Sequence, residues 1–153
     1  MAKRKRVKIT ARGHHAIAAM AEIAQQERDA PVPLSQIAKA GNISLSYLEQ
    51  LFAGLRRHGL VKSFRGPGGG YRLTRPATDI AVADILISAE DLPSVKERES
   101  EDKSFSDNER IGSFWGTIDE VLYACLSRVS LADVTAGKVA DLPLLNNLFE
   151  TLG

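Results

Sequence analysis

The run Gly66-Pro67-Gly68-Gly69-Gly70 constrains this chain more than any other stretch. Four glycines and a proline in five residues leave a backbone almost bare of side chains, which suits neither the interior of a helix nor that of a strand. The run has to be a turn, and its flanks decide which kind. Val61 to Arg65 and Tyr71 to Arg75 alternate on either side of it, the period of two expected of strands. The spacing predicts a hairpin with a bare tip and arginines beside it. Just upstream, Leu48, Leu51, Phe52 and Leu55 fall at i, i+3, i+4 and i+7 and form the apolar face of a helix. Ser46, Glu49, Gln50, Arg56 and Arg57 occupy the other face. Gly59 then stands where helix ends favour a left-handed residue, and His58 before it suits the negative end of the helix dipole.

The start of that helix is expected at Ser46, with Ser46 and Glu49 spaced as a capping box. Earlier in the chain, Thr10 is a candidate N-cap for a helix from Ala11 to about Glu27. His14, Ile17, Ala21 and Ala24 share one face of it, and Ile17, Met20 and Ile23 supply bulk for a core. Asp29-Ala30-Pro31-Val32-Pro33 is a rigid connector, because its prolines cannot continue a helix. Leu34 to Ala40 reads as a short helix stopped at Gly41-Asn42. A short helix, a glycine-containing turn and a longer polar-faced helix make a helix-turn-helix. With the basic hairpin behind it, the layout is that of a winged helix-turn-helix. The polar-faced helix would enter the major groove of DNA, and the hairpin would lie along the backbone or minor groove.

Charge supports that reading. Residues 1–75 hold 14 Lys and Arg against 4 Asp and Glu, a net +10, while residues 76–153 hold 6 against 15, a net −9; together they give the chain's +1. A basic half joined to an acidic half points to a polyanion-binding module attached to something else. Lys3, Arg4, Lys5, Arg6 and Lys8 form a basic arm that is either a solubilising tail or a source of phosphate contacts. No run of about 18 apolar residues is present, so no membrane span is expected, and the basic start lacks the apolar segment of a secretory signal. The single cysteine, Cys125, excludes an internal disulfide and suits a reducing cytoplasm.

After the hairpin, Asp79 to Glu90 reads as a helix, and Asp91 to Asn108 is polar, acidic and expected to be an exposed loop. A long helix is then predicted over about 109–129. Ile111, Phe114, Trp115, Ile118, Leu122, Cys125, Leu126 and Val129 step by three and four along it for about five turns. A small DNA-binding domain cannot cover such a stripe, so the economical partner is a second copy of the chain about a two-fold axis. The alternative is packing wholly within the subunit. Ser130 looks like the cap of a short helix, and the tail from Lys138 carries a weak apolar pattern around Leu144, Leu145, Leu148 and Phe149. The expected fold is mainly α with a small β-wing. Its parts are a winged domain over 1–76 (arm 1–9, wing 61–75), a connecting helix and acidic loop over 77–108, and a dimerisation helix and tail over 109–153.

ISLSYLEQLF, LRRHGLV and RGPGGGY, taken with ITARGHHAIAAMAEIA and PVPLSQIAKAGNIS, closely resemble the IscR-type winged-helix transcription regulators over about residues 7–135. These are bacterial repressors and activators that include sensors of iron–sulfur status, nitric oxide and cysteine supply. The resemblance implies a homodimer with crossed long helices and one recognition helix per half-site of a near-palindromic operator. It places Ser46, Glu49 and Gln50 at positions that face bases, Arg65 at the wing arginine of the minor groove, and Gly66, Pro67, Gly68, Gly69 and Gly70 at the wing tip. Tyr47 and Arg56 would contact phosphate or pack. Elementary chemistry agrees: Gln pairs with adenine and Glu accepts from cytosine in the major groove, and arginine suits a narrow minor groove over A·T-rich DNA. Glu49 keeps two readings, as a cap and as a base reader.

The sequence also departs from the family. Cluster-binding members hold iron–sulfur with three cysteines in the loop before the long helix, and here Asp91 to Asn108 contains none. Cys125 on the apolar stripe reads as a small hydrophobe. His14 reads as a half-buried packing residue and His15 as a surface one. The alternative is an unconventional 2Fe–2S or metal site drawing on His14, His15 and Cys125, since some relatives reach the cluster across the dimer from the position matching His14. No nucleophile–base pair, metal-ligand spacing or phosphate-binding loop leading into a helix is present, so an enzyme is not expected. The competing functions are a winged-helix protein-interaction module and a regulator with an effector other than a cluster.

Overall fold

The computed structural model describes residues 7–26, 30–91 and 109–143, with Asn147 and Glu150. Its elements are α1 (Ala11–Gln25), α2 (Leu34–Gly41), α3 (Leu45–Arg57), β1 (Val61–Phe64), β2 (Gly70–Leu73), α4 (Val82–Ala89), α5 (Glu109–Leu126) and α6 (Leu131–Thr135). Single 3-10 turns at Ala77–Asp79 and Val139–Asp141 punctuate the chain. The fold is the expected one, mainly helical with a two-stranded antiparallel wing. The basic arm at residues 1–6, the acidic segment from residue 92 to 108, residues 27–29 where the first connector starts, and most of the C-terminal tail lie outside the described residues.

The local signals act much as elementary chemistry requires. Thr10 caps α1 by accepting from the Gly13 N–H at 3.3 Å. Asn42 closes α2 in the left-handed region, at φ +50. At the end of α3 the N–H of Leu60 donates to the Leu55 carbonyl and that of Gly59 to the Arg56 carbonyl, both at 3.0 Å. This double bond pattern needs a left-handed residue, and Gly59 sits at φ +70. Ser130 and Asp133 form a reciprocal capping box at the head of α6. Hydrogen bonds from the Ser130 N–H, and secondarily its hydroxyl, hold the Asp133 carboxyl below the ordinary aspartate range.

One cap differs from expectation. α3 begins at Leu45 and is capped by Ser44, whose hydroxyl accepts from the Tyr47 N–H at 3.2 Å. Ser46 lies inside the first turn, so Ser46 and Glu49 do not form the cap. The preceding turn decides this. The Ile43 N–H donates to the Ala38 carbonyl, which delivers Ser44, two residues earlier, to the helix start.

A single cluster fills the N-terminal half: Ala16, Met20 and Ile23 of α1, Ile37 of α2, Leu48, Leu51, Phe52 and Leu55 of α3, and Val61 of the wing. Ile80, Ile85 and Ala89 around α4 and Leu131 of α6 belong to the same cluster. Residue 76 is therefore no packing boundary. A second cluster joins Val7, Val82, Ala83, Leu86 and Val129, with Tyr123 and Leu126 packed against it. The Val82 N–H donates to Val129 and the Leu131 N–H to Ile80, both at 2.8 Å, tying the chain after α5 back onto the start of α4.

That tie corrects one residue of the apolar stripe. α5 ends at Leu126, and Val129 is buried within its own subunit. It is drawn there by the short bridge to Val82, and so it is not part of an exposed dimer face. The rest of α5 is different. Gly116 is its only buried residue, while Phe114 is 55% and Trp115 54% exposed, their rings edge-to-face at 5.1 Å.

Candidate nucleic-acid interface

α3 buries Leu48, Leu51, Phe52, Gly54 and Leu55, and that face fixes which side chains remain outside. Ser46, Glu49 and Gln50 are all exposed, as is Arg56 about two turns further on. Glu49 has no cap to serve, because Ser44 does that work. Ser46 lies three and four residues before Glu49 and Gln50, the spacing of neighbours on a helix surface, so the three border one polar edge. Tyr47 behaves differently: it is half-buried and turned toward α1. His15 Nδ1 lies 3.0 Å from its hydroxyl, with the two rings edge-to-face at 5.5 Å. Burial raises the Tyr47 phenol above the ordinary tyrosine range, Arg12 opposing the shift and Glu90 adding to it.

The recognition helix is fastened at both ends. At its head is the Tyr47–His15 contact. At its tail, the Asp91 carboxylate takes Arg57 Nε and His58 Nε2, each at 3.2 Å, and the Arg57 guanidinium also donates to the Asp91 carbonyl. Between the two, Gly54 lets the α3 backbone approach α4; a Cβ there would lie 2.8 Å from the Ser88 carbonyl oxygen. At the start of α1, Glu90 accepts from Arg12 at 2.7 Å and from the Thr10 hydroxyl. Glu90 and Asp91 thus clamp α1 and α3 respectively. Sequence periodicity could not show this, because the partners lie 33 to 80 residues away.

The wing pairs Val61 with Leu73, Lys62 with Arg72, Ser63 with Tyr71 and Phe64 with Gly70. The connector joins it: the Val32 N–H and carbonyl bond to the Tyr71 carbonyl and N–H, each at 2.9 Å. Tyr71 also packs edge-to-face on Phe52 of α3, with centroids 4.8 Å apart, so wing and recognition helix share one rigid base. Arg65, Gly66, Pro67 and Gly68 are all exposed at the far end. Gly66 and Gly68 take φ +90 and +73, and the Gly69 N–H closes the turn onto the Gly66 carbonyl at 2.9 Å. Gly69 and Gly70 are half-buried and belong to the base of the tip rather than its surface.

Ser46, Glu49, Gln50 and Arg56 therefore lie on a helix surface and Arg65, Gly66, Pro67 and Gly68 on a wing tip, held by a common core, while Tyr47, Gly69 and Gly70 are half-buried. Lys62, Phe64 and Arg72 lie on one face of the same hairpin, and the spacing of the helix and hairpin motifs did not single them out. The strand alternation that places them together was the available signal.

The candidate metal ligands fare differently. His14 is exposed and His15 is the half-buried one, the reverse of expectation, because the ring of Tyr47 covers His15. Cys125 is half-buried on α5. Among the described residues, no group of three or more His, Cys, Asp and Glu side chains is placed to hold a metal ion. With one thiol per chain, the donor set does not fit a thiolate-held iron–sulfur cluster.

Comparison with known proteins accords with this geometry. The Rrf2 family, described as an iron-dependent transcriptional regulator, matches residues 9–137. The transcriptional regulator IscR of Photorhabdus laumondii is 36% identical over 129 residues, 84% of this chain and 79% of the relative. IscR of Photobacterium profundum is 49% identical over 85 residues, 56% of this chain and 49% of that protein. Among solved structures, T. potens IscR superposes with a TM-score of 0.66 at 36% identity, covering 86% of this chain and 88% of its own. CymR, the global cysteine regulator of B. subtilis, gives 0.63 at 31% identity, with 85% and 97% covered. A chain with this polar recognition helix, this wing and these relatives belongs to the Rrf2 family, as an IscR-type winged-helix DNA-binding transcription regulator.

Proposed function

We propose that the protein acts as a homodimer on a near-palindromic operator, without catalytic activity and in the cytoplasm. In this reading Ser46, Glu49 and Gln50 read bases in the major groove and Arg65 enters the adjacent minor groove. The observation that carries it is the release of Glu49 from capping duty, which leaves a carboxylate and an amide exposed together at the head of α3. Gln pairs bidentately with adenine and Glu accepts from the cytosine amino group. A carboxylate there also repels phosphate wherever its cytosine is missing, which sharpens discrimination. The dimer rests on the exposed apolar face of α5, where Phe114, Trp115 and Ile111 present large side chains to solvent.

The signal in this reading is something other than a cluster held by three loop thiolates, because the chain has none to offer there. The test is fluorescence anisotropy on a duplex that the protein itself selects from a random-sequence pool. Arg65→Ala should weaken that duplex by roughly tenfold while the protein sediments as before, on the scale of about 1–3 kcal/mol for one good base contact. Unchanged binding removes the wing arginine from the interface.

A further inference from the structure

We propose that the outer face of the wing is a second DNA contact, a phosphate site in which Lys62 and Arg72 are presented on the ring of Phe64. The inference rests on the reading of the wing as a DNA-contacting element and extends it beyond the tip. Antiparallel register sets Lys62 directly opposite Arg72 and Phe64 directly opposite Gly70. Strand alternation then puts Lys62, Phe64 and Arg72 on one face, with Gly70 adding no side chain to cover the ring. The other face carries Tyr71, which packs onto Phe52. Two like charges directly opposite each other oppose strand pairing. Here each is drawn over the same ring, with Lys62 Nζ 5.7 Å and Arg72 Cζ 5.5 Å from its centroid, within the range of cation–π attraction.

Phe64 is 38% exposed, so the ring does little for the core. What it does is hold two cations over one ring on the same wing face, an arrangement whose charge suits a polyanion. Phosphate is the matching chemistry: the ammonium supplies a point charge and the guanidinium a planar fork. Phe64 immediately precedes Arg65, so the phosphates engaged are those bordering the groove that the wing tip enters.

The experiment titrates DNA affinity against KCl for a duplex selected by the wild-type protein and a scrambled duplex of equal length. Each phosphate contact contributes about −0.9 to the slope of log K on log salt. Lys62→Gln and Arg72→Gln should each make the slope shallower by about 1 and weaken both duplexes alike, on the order of eightfold at about 0.1 M salt. Phe64→Leu keeps the charge and should also weaken both duplexes, by a smaller factor. Slopes unchanged in both cation variants, with a normal wild-type slope, overturn the phosphate site alone. Loss confined to the selected duplex overturns it too, since that is the behaviour of base contacts. An unaffected Phe64→Leu overturns the platform. A wild-type protein without salt-dependent DNA affinity overturns the DNA-contact reading of the wing together with this one.

Discussion

At the scale of single residues, the wing depends on a backbone approach at Gly70. Its φ is +152, and a Cβ there would overlap the Val32 carbonyl and lie 2.6 Å from the Pro33 nitrogen. The obstruction is backbone, so no rotamer change relieves it. Gly70→Ala should destabilise the fold by about 1–3 kcal/mol, the usual cost of forced backbone strain, and denaturant unfolding would register it. An unchanged midpoint would mean the connector can move aside. The glycine run was plain in the sequence as a turn, yet its members do different work. Gly66 and Gly68 turn the tip, while Gly70 admits the Val32 segment. Only the bridge from Val32 to Tyr71, 39 residues on, separates those roles, and nothing local announces it.

At the scale of elements, α3 was legible in its periodicity and its end but not in its beginning. Two serines two residues apart offer equivalent caps, and propensity alone cannot rank them. The turn after α2 ranks them, by delivering Ser44, and the earlier start then brings Tyr47 against His15. Ser44→Ala should cost about 1 kcal/mol, whereas Ser46→Ala should stay within about 0.5 kcal/mol of wild type in stability while weakening operator binding. Equal destabilisation by the two would contradict the cap assignment. α5 shows the converse error. Its stripe was read one turn too far because Val129 continues the three-and-four spacing. The chain has already left the helix at Leu126, and Val129 turns back toward Val82 and Leu86.

At the scale of the whole molecule, the basic and acidic halves do not fold separately. α4 and α6 complete the core of the DNA-binding half, and Glu90 and Asp91 hold α1 and α3 at the point where the acidic segment begins. What stands apart is α5, with Phe114, Trp115 and Val121 each more than half exposed. Trp115→Ala should weaken dimerisation by about 2 kcal/mol or more, roughly thirtyfold in Kd, as removal of a central aromatic anchor does. Analytical ultracentrifugation at low micromolar concentration reads this directly. A variant that sediments like wild type would assign the exposed face to some other partner.

By itself the sequence determined the helix faces, the hairpin with its bare tip, the charge polarity, the lack of loop thiols and the motifs that mark the family. All of these follow from local spacing and composition, which the chain carries wherever it folds. Tertiary structure decided which serine caps the recognition helix, which of two adjacent histidines is covered, where the long helix stops, and that Asp91 anchors Arg57 and His58. Each of those outcomes is a choice between locally equivalent alternatives. Contacts between residues far apart in the chain, not the propensity of any one of them, supply the free energy that separates the alternatives.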